Sequence, residues 1–131
     1  HIDTMARFCN QHTIIYNTQY PNTQRSTCND GLYKSLHSYR ENHCAELILV
    51  ECPVPAYRIG NKLNYASSLP ASYVNFLIIN GAVLVPSYQS VNDLEAQSIV
   101  GKLFPEREIV AIDCIPLIKQ LGSLHCATMQ F

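Results

Sequence analysis

Near the end of the chain, Gly122-Ser123-Leu124-His125-Cys126-Ala127-Thr128-Met129-Gln130 places a His-Cys pair behind a turn of small residues. At the opposite end, His1-Ile2-Asp3 sets an imidazole and a carboxylate two residues apart. On an extended segment, residues i and i+2 face the same side, so His1 and Asp3 are expected to point together. A thiol, an imidazole and a carboxylate are the minimum set for cysteine-nucleophile chemistry. The intervening chain must then be a scaffold that brings its two ends together around Cys126.

The same groups admit a second chemistry, a metal site built from His1, Asp3, His125 and Cys126. Zinc sites draw their ligands from rigid, well-spaced motifs such as H-x-x-x-H, and the sequence has none, so no metal is expected. With 131 residues, 47% hydrophobic and 15% charged, the chain reads as one globular domain with a real core. The net charge is −1 and the nine Lys and Arg form no runs, which argues against nucleic acid or an anionic membrane as partner. No apolar run approaches membrane-spanning length, and nothing at the N-terminus has the form of a signal peptide. The sequence opens on a histidine without Met, which reads as the boundary of a fragment.

Six cysteines (Cys9, Cys28, Cys44, Cys52, Cys114 and Cys126) are scattered without any C-x-x-C. Reduced thiols in a cytoplasmic protein are expected, against the alternative of a secreted three-disulfide framework. Most should be small buried hydrophobes.

Periodicity predicts the scaffold. Met5 to Phe8 is short and mostly apolar, Cys9 to His12 a turn, and Thr13 to Tyr16 a strand. Thr18 to Asp30 reads as a loop. Leu32, Leu36 and Tyr39 then share one face of a helix over Gly31–Arg40, and the apolar run Leu47–Val50 reads as a buried strand. Cys52 to Ala71 is a proline-punctuated connector with a turn at Gly60-Asn61. After it the order returns: a strand over Tyr73–Ile79, a hairpin turn at Asn80-Gly81, and a return strand over Ala82–Val85. Asn92 can cap a helix with Glu95 in the reciprocal position, and that helix should turn Leu94, Val100 and Leu103 inward. Glu108–Asp113 is the closing strand, and Pro116–Leu121 a short helical segment ended by Gly122. The chain thus contains two strand–strand–helix–strand units at a period of roughly 65–70 residues, over about 1–51 and 72–113, with 122–131 beginning a third. Units related by rotation about an axis would gather His1, Asp3, Ser72 and Cys126 at one end of it, in an axial pocket.

Five ordered blocks carry a resemblance. They are His1-Ile2-Asp3-Thr4-Met5-Ala6-Arg7-Phe8, Leu69-Pro70-Ala71-Ser72-Tyr73-Val74-Asn75-Phe76, Asn80-Gly81-Ala82-Val83-Leu84-Val85-Pro86, Phe104-Pro105-Glu106-Arg107 and His125-Cys126-Ala127-Thr128-Met129-Gln130. Together they resemble the C-terminal part of bacterial agmatine deiminases, guanidine-modifying enzymes of the five-bladed α/β propeller, or pentein, fold. The resemblance implies part of such a propeller and an enzyme that hydrolyses agmatine to N-carbamoylputrescine and ammonia, without a cofactor. It implies Cys126 as nucleophile and His1 as the acid and base that serves ammonia and then water. Asp3 would hold the guanidinium. Ser72 and Asn75 are candidates to line the pocket, with satisfaction of backbone groups at a hairpin entry as the alternative for Asn75. Arginine or peptidyl-arginine deimination and amidino transfer are variants on the same superfamily. An inactive half-propeller interaction module is the reading from another class. The family's glycine run before His-Cys is reduced here to Gly122, which bears on pocket shape. Its N-terminal part, which supplies a second carboxylate and the remaining modules, lies outside this sequence, so a missing half or a homo-oligomer would have to complete the ring.

Of the remaining polar residues, His125 would face away from Cys126 on an extended segment and is expected to be structural. Arg7 is expected to form a structural ion pair. Asp93 and Glu95 read as a solvated helix start favoured by the helix dipole.

Overall fold

The structure is a computed structural model that describes residues 1–18, 26–59, 62–65 and 69–129. A 3₁₀ turn at Ile2–Thr4 leads into β1 (Ala6–Asn10) and β2 (Thr13–Asn17). Then follow α1 (Ser26–His43), β3 (Ile48–Cys52), a hairpin of β4 (Ala56–Ile59) and β5 (Lys62–Tyr65), β6 (Leu77–Ile79) and β7 (Ala82–Ser87). The chain closes with α2 (Asp93–Leu103), β8 (Glu108–Asp113), α3 (Ile115–Ile118) and a second 3₁₀ turn at His125–Ala127.

Two small sheets repeat one topology. β1 pairs antiparallel with β2, and β2 pairs parallel with β3 across α1. β6 pairs antiparallel with β7, and β7 pairs parallel with β8 across α2. The repetition reaches single bonds: the Ile48 N–H donates to the His12 carbonyl, and the Glu108 N–H donates to the Gly81 carbonyl. In both units the first residue of the third strand is thus locked to the hairpin turn. The strand–strand–helix–strand order expected from periodicity is the order observed.

Position within the sheet, more than composition, decides which strands are buried. β2 lies between two neighbours and is buried throughout, whereas β3 is an edge strand whose Ile48 is 55% exposed. The continuous apolar run over Leu47–Val50 therefore does not mark a central strand. Only Leu77–Ile79 of the strand expected from Tyr73 is paired. Tyr73, Val74, Asn75 and Phe76 form a turn and a short extended link, all four without solvent exposure. Helix α1 begins earlier than expected, at Ser26, and its Tyr39 is exposed and stacks on His43 at 5.4 Å instead of facing inward. The expected connector contains the β4–β5 hairpin, and its Gly60-Asn61 turn lies outside the described residues.

Helix α2 departs most from expectation. Leu94 is 79% exposed, while Asp93, Ala96 and Val100 form the buried stripe. The cause is the Asp93 carboxylate. It accepts the Tyr73 hydroxyl at 2.6 Å, the Ser87 hydroxyl at 2.7 Å and the backbone N–H groups of Tyr88 and Ser90. Four donors offset the cost of removing a charge from water, and they fix the rotation of the helix. Asp93 is not a solvated cap, and the capping box does not form: the Asn92 amide donates to the Val54 carbonyl instead. That bond, with Ser90 bonded to both backbone groups of Ala56, ties the connector to the second unit.

Asp93→Ala strands four donors, among them the buried Tyr73 hydroxyl. Since a hydrogen bond to a charged group contributes about 1.5–3 kcal/mol, we expect the variant to lose about 3 kcal/mol of stability in chemical denaturation. A loss below about 1 kcal/mol would contradict this account of α2.

Candidate active site

The N-terminal 3₁₀ turn is anchored from both sides. The Thr4 hydroxyl donates to the His1 carbonyl at 2.8 Å and closes the turn. Asn17, buried at the end of β2, donates its side-chain amide to the Thr4 carbonyl at 2.7 Å and its backbone N–H to the Met5 carbonyl at 2.9 Å. Arg7, on β1, donates to the Phe76 carbonyl at 3.0 Å and lies 5.1 Å above the Phe76 ring. It therefore makes a backbone bond and a cation–π contact, not the expected ion pair. These contacts seat Asp3 above the link between Tyr73 and β6.

The C-terminal turn reaches the same place. After α3 the chain reverses at Leu121, which takes the left-handed conformation at φ 63°. Gly122 serves close approach instead: a Cβ there would meet the Cβ of Cys126 at 3.3 Å. Residues His125–Ala127 form a 3₁₀ turn, closed by the Thr128 hydroxyl donating to the His125 carbonyl at 2.8 Å. The segment is not extended, so His125 does not face away.

At the junction, His125 Nδ1 and Asp3 Oδ2 are 2.9 Å apart. The Cys126 thiol lies 3.5 Å from the same oxygen. The Asn75 amide donates to the Asp3 carboxylate at 3.1 Å and to Cys126 Sγ at 3.5 Å, and its oxygen accepts the His125 N–H at 2.9 Å. Thiol, carboxylate, imidazole and amide thus meet from three segments far apart in sequence.

Ser72 stands one layer behind. Its hydroxyl, almost wholly buried, donates to Asn17 at 3.2 Å, and both its backbone groups bond the Tyr88 phenol. That phenol also bonds the Ser123 hydroxyl at 2.6 Å. A phenol has one proton to give; if it serves the Ser72 carbonyl, Ser123 is the donor to Tyr88. His1 is exposed, and the bonds described for it use its backbone carbonyl. The turn explains why. In a 3₁₀ helix it is residues i and i+3 that eclipse, so His1 and Asp3 do not share a face as they would on an extended segment. Asn17 and His125 are the site residues that spacing did not reveal, since neither belongs to a local pattern that implies the other.

Two depressions flank the junction. A cavity of about 160 Å³ is lined by Leu117, Gln120, Gly122, Ser123, Cys126 and Ala127. A larger groove of about 540 Å³ touches the site only through Asp3, with walls from β1, Ile14 and α1 that are mostly apolar. The smaller one is the one lined by Cys126. No cluster of three or more His, Cys, Asp or Glu side chains suited to a metal ion occurs among the described residues.

Burial alone would raise the Asp3 carboxyl, but hydrogen bonds from His125, Cys126 and Asn75, with the His125 charge, outweigh it and hold Asp3 below the ordinary 3.8. A group depressed on folding contributes stability that is fully present above its unfolded value and lost as pH falls through the folded one. We therefore expect wild type to outlast Asp3→Asn in thermal melts at neutral pH, and the gap to close only below about pH 3.8. A gap that closes near neutral pH would refute the carboxylate's role.

The profile of the Porphyromonas-type peptidyl-arginine deiminase family matches residues 1–131. Among curated proteins, an agmatine deiminase of Pseudomonas fluorescens is 40% identical over 81 residues, 61% of this chain and 22% of that protein. A Porphyromonas gingivalis structure proposed to be an arginine deiminase superposes at TM-score 0.84 with 44% identity, covering 100% of this chain and 38% of that one. A cysteine-to-serine variant of C. jejuni agmatine deiminase with substrate bound superposes at 0.78 with 28% identity, covering 97% and 35%. The chain therefore spans about a fifth of that curated relative and over a third of those structures. Its small mixed α/β sheets are those of these pentein-fold neighbours. By a match over its whole length, the chain belongs to the Porphyromonas-type peptidyl-arginine deiminase family.

Proposed function

We propose that this chain carries the nucleophile-bearing part of a guanidine deiminase, with agmatine converted to N-carbamoylputrescine and ammonia. The observation that carries the reading is the meeting of the Asp3 carboxylate with the Cys126 thiol at 3.5 Å, from opposite ends of the chain. Curated relatives named agmatine deiminase, and the substrate-bound structure among the neighbours, support the choice of substrate class.

In this reading a guanidinium enters beside Asp3 and pairs with its carboxylate by charge-assisted hydrogen bonds. It brings a positive charge next to the sulfur, which favours the thiolate. The thiolate attacks the central guanidinium carbon, forming a C–S bond. A C–N bond then breaks, and His1 supplies the proton with which ammonia leaves. Water, deprotonated by His1, adds to the resulting thiouronium carbon, and the C–S bond breaks to release the urea product and the thiol. A second reading assigns these proton transfers to His125. Its 2.9 Å contact with Asp3 is the arrangement by which a carboxylate orients an imidazole. Comparing His1→Gln with His125→Gln decides between them, because the acid–base residue alone should abolish turnover while sparing the first alkylation of Cys126.

Ser72 in this scheme supports the Asp3 turn through Asn17. The two strand–strand–helix–strand units, over 1–51 and 72–113, are modules of a five-bladed propeller in which 122–131 opens a third. Further modules, or a second copy, wall the rest of the pocket.

A haloacetamidine, which is a guanidine-shaped alkylating agent, tests the site directly by intact mass. We expect one fast adduct, absent from Cys126→Ser and slowed at least about tenfold by agmatine but not by free arginine. Slow labelling spread over several cysteines and indifferent to agmatine would defeat the proposal.

A further inference from the structure

A guanidine held at Asp3 and attacked by Cys126 must send its substituent into one of the two depressions that flank the junction. The larger groove presents Arg7 and otherwise mostly apolar side chains. An ammonium at the end of the substituent would meet a like charge there. Among the described residues it would find no side-chain acceptor except the carboxylate that already holds the guanidinium. The smaller cavity is lined by Cys126 itself, and no charged side chain lines it among the described residues. Its volume of about 160 Å³ is that of roughly five waters at about 30 Å³ each, the scale of a short aliphatic chain. Leu117 and Ala127 supply apolar wall. Of its polar side chains, Ser123 is committed: it is wholly buried and bonds the Tyr88 phenol at 2.6 Å. Gln120 is uncommitted. It is exposed, and among the described residues its side-chain amide has no hydrogen-bond partner.

The backbone around Gln120 is arranged for this place. Its N–H donates to the Leu117 carbonyl at 2.9 Å, and the Leu121 N–H donates to the Ile118 carbonyl at 3.1 Å. Leu121 then takes the left-handed conformation at φ 63°, although its side chain is 78% exposed and recovers nothing from the core. Strain of this kind persists where the local geometry serves a site. Here the reversal sets Gln120 and Gly122, on either side of Leu121, onto the one cavity that Cys126 lines. We propose that Gln120 is a specificity-determining residue: the cavity takes the aliphatic substituent of the guanidine, and the Gln120 amide oxygen accepts a hydrogen bond from the amine at its far end. The inference rests on the guanidine reading of the Cys126 site and adds to it the residue that reads the substituent. An ammonium has three donors and no acceptor, so it is the oxygen of the amide that serves it.

The test measures protection of Cys126 from iodoacetamide, with its labelling defined by subtraction of Cys126→Ser. Agmatine and methylguanidine, a guanidinium without a chain to fill the cavity, serve as protectants for wild type, Gln120→Leu and Gln120→Glu. The agmatine concentration that halves the labelling rate should rise about tenfold in Gln120→Leu, which removes a hydrogen bond to a charged group. It should fall about threefold in Gln120→Glu, where an exposed charge pair replaces that bond. The corresponding concentration of methylguanidine should stay the same in all three proteins. A merely structural role for Gln120 would move both compounds together, and that result overturns the proposal. Equal agmatine protection of wild type and Gln120→Leu, with methylguanidine still protecting, also overturns it but leaves the guanidine reading standing. Protection of wild type by neither compound defeats the guanidine reading and this inference with it.

Discussion

The buried amide of Asn75 is the constraint on which the site depends. A polar group without solvent must find partners within the protein, or cost about 1–3 kcal/mol for each one missing. Asn75 finds them on two other segments: the turn that carries Asp3 and the turn that carries His125 and Cys126. Those turns lie at opposite ends of the chain, and neither has a sheet of its own to hold it. Satisfying one side chain therefore sets the geometry of three segments at once. The surrounding polar layer extends the arrangement. Asn17, Ser72, Tyr88 and Ser123 form a chain of hydrogen bonds from the end of β2 to the loop before Cys126. Phe76, held between Arg7 and Phe104, fills the space beneath.

Burial sets several of the other thiols apart from Cys126. Burial pushes Cys9 up to about 11 and Cys52 up to about 12, and it raises Cys114 as well. Each is a protonated, unreactive thiol near neutral pH. Cys126 is the exposed member among the free cysteines described, and the Asp3 carboxylate and the Asn75 amide lie within 3.5 Å of its sulfur. The three shifted residues behave as the small core hydrophobes that their scattered spacing implied.

The repeated unit explains why the two ends can meet at all. In each unit a hairpin strand is paired in parallel with a strand reached through a helix, so each β-β-α-β stretch closes on itself. The preceding and following segments are left free to pack on its end. The site is built from such segments, the turn before β1, the link before β6 and the turn after α3. Asp3, Asn75 and Cys126 all lie in such segments, which matches the general division between a rigid scaffold and functional connections.

The sequence by itself determined the strand–strand–helix–strand order of the two units, the hairpin that opens each, and the candidate status of Cys126 and Asp3. These follow from local causes: β-branched runs, a Gly at a positive φ in the Asn80-Gly81 turn, and a small-residue approach to His-Cys. The five blocks of family resemblance reached further, to the family itself. Only the tertiary structure decided which face each turn presents. An extended segment would turn His125 away from Cys126, whereas Thr128 closes a 3₁₀ turn there. Helical periodicity turns Leu94 inward, yet Asp93 takes the buried position because four donors from β7, its following loop and Tyr73 converge on it. Leu47–Val50 reads as buried because a hydrophobic run does not record whether a strand has one neighbour or two. In each case the deciding partner lies outside the local pattern, and the satisfaction of a buried polar group, or of a sheet edge, is a property of the assembled fold.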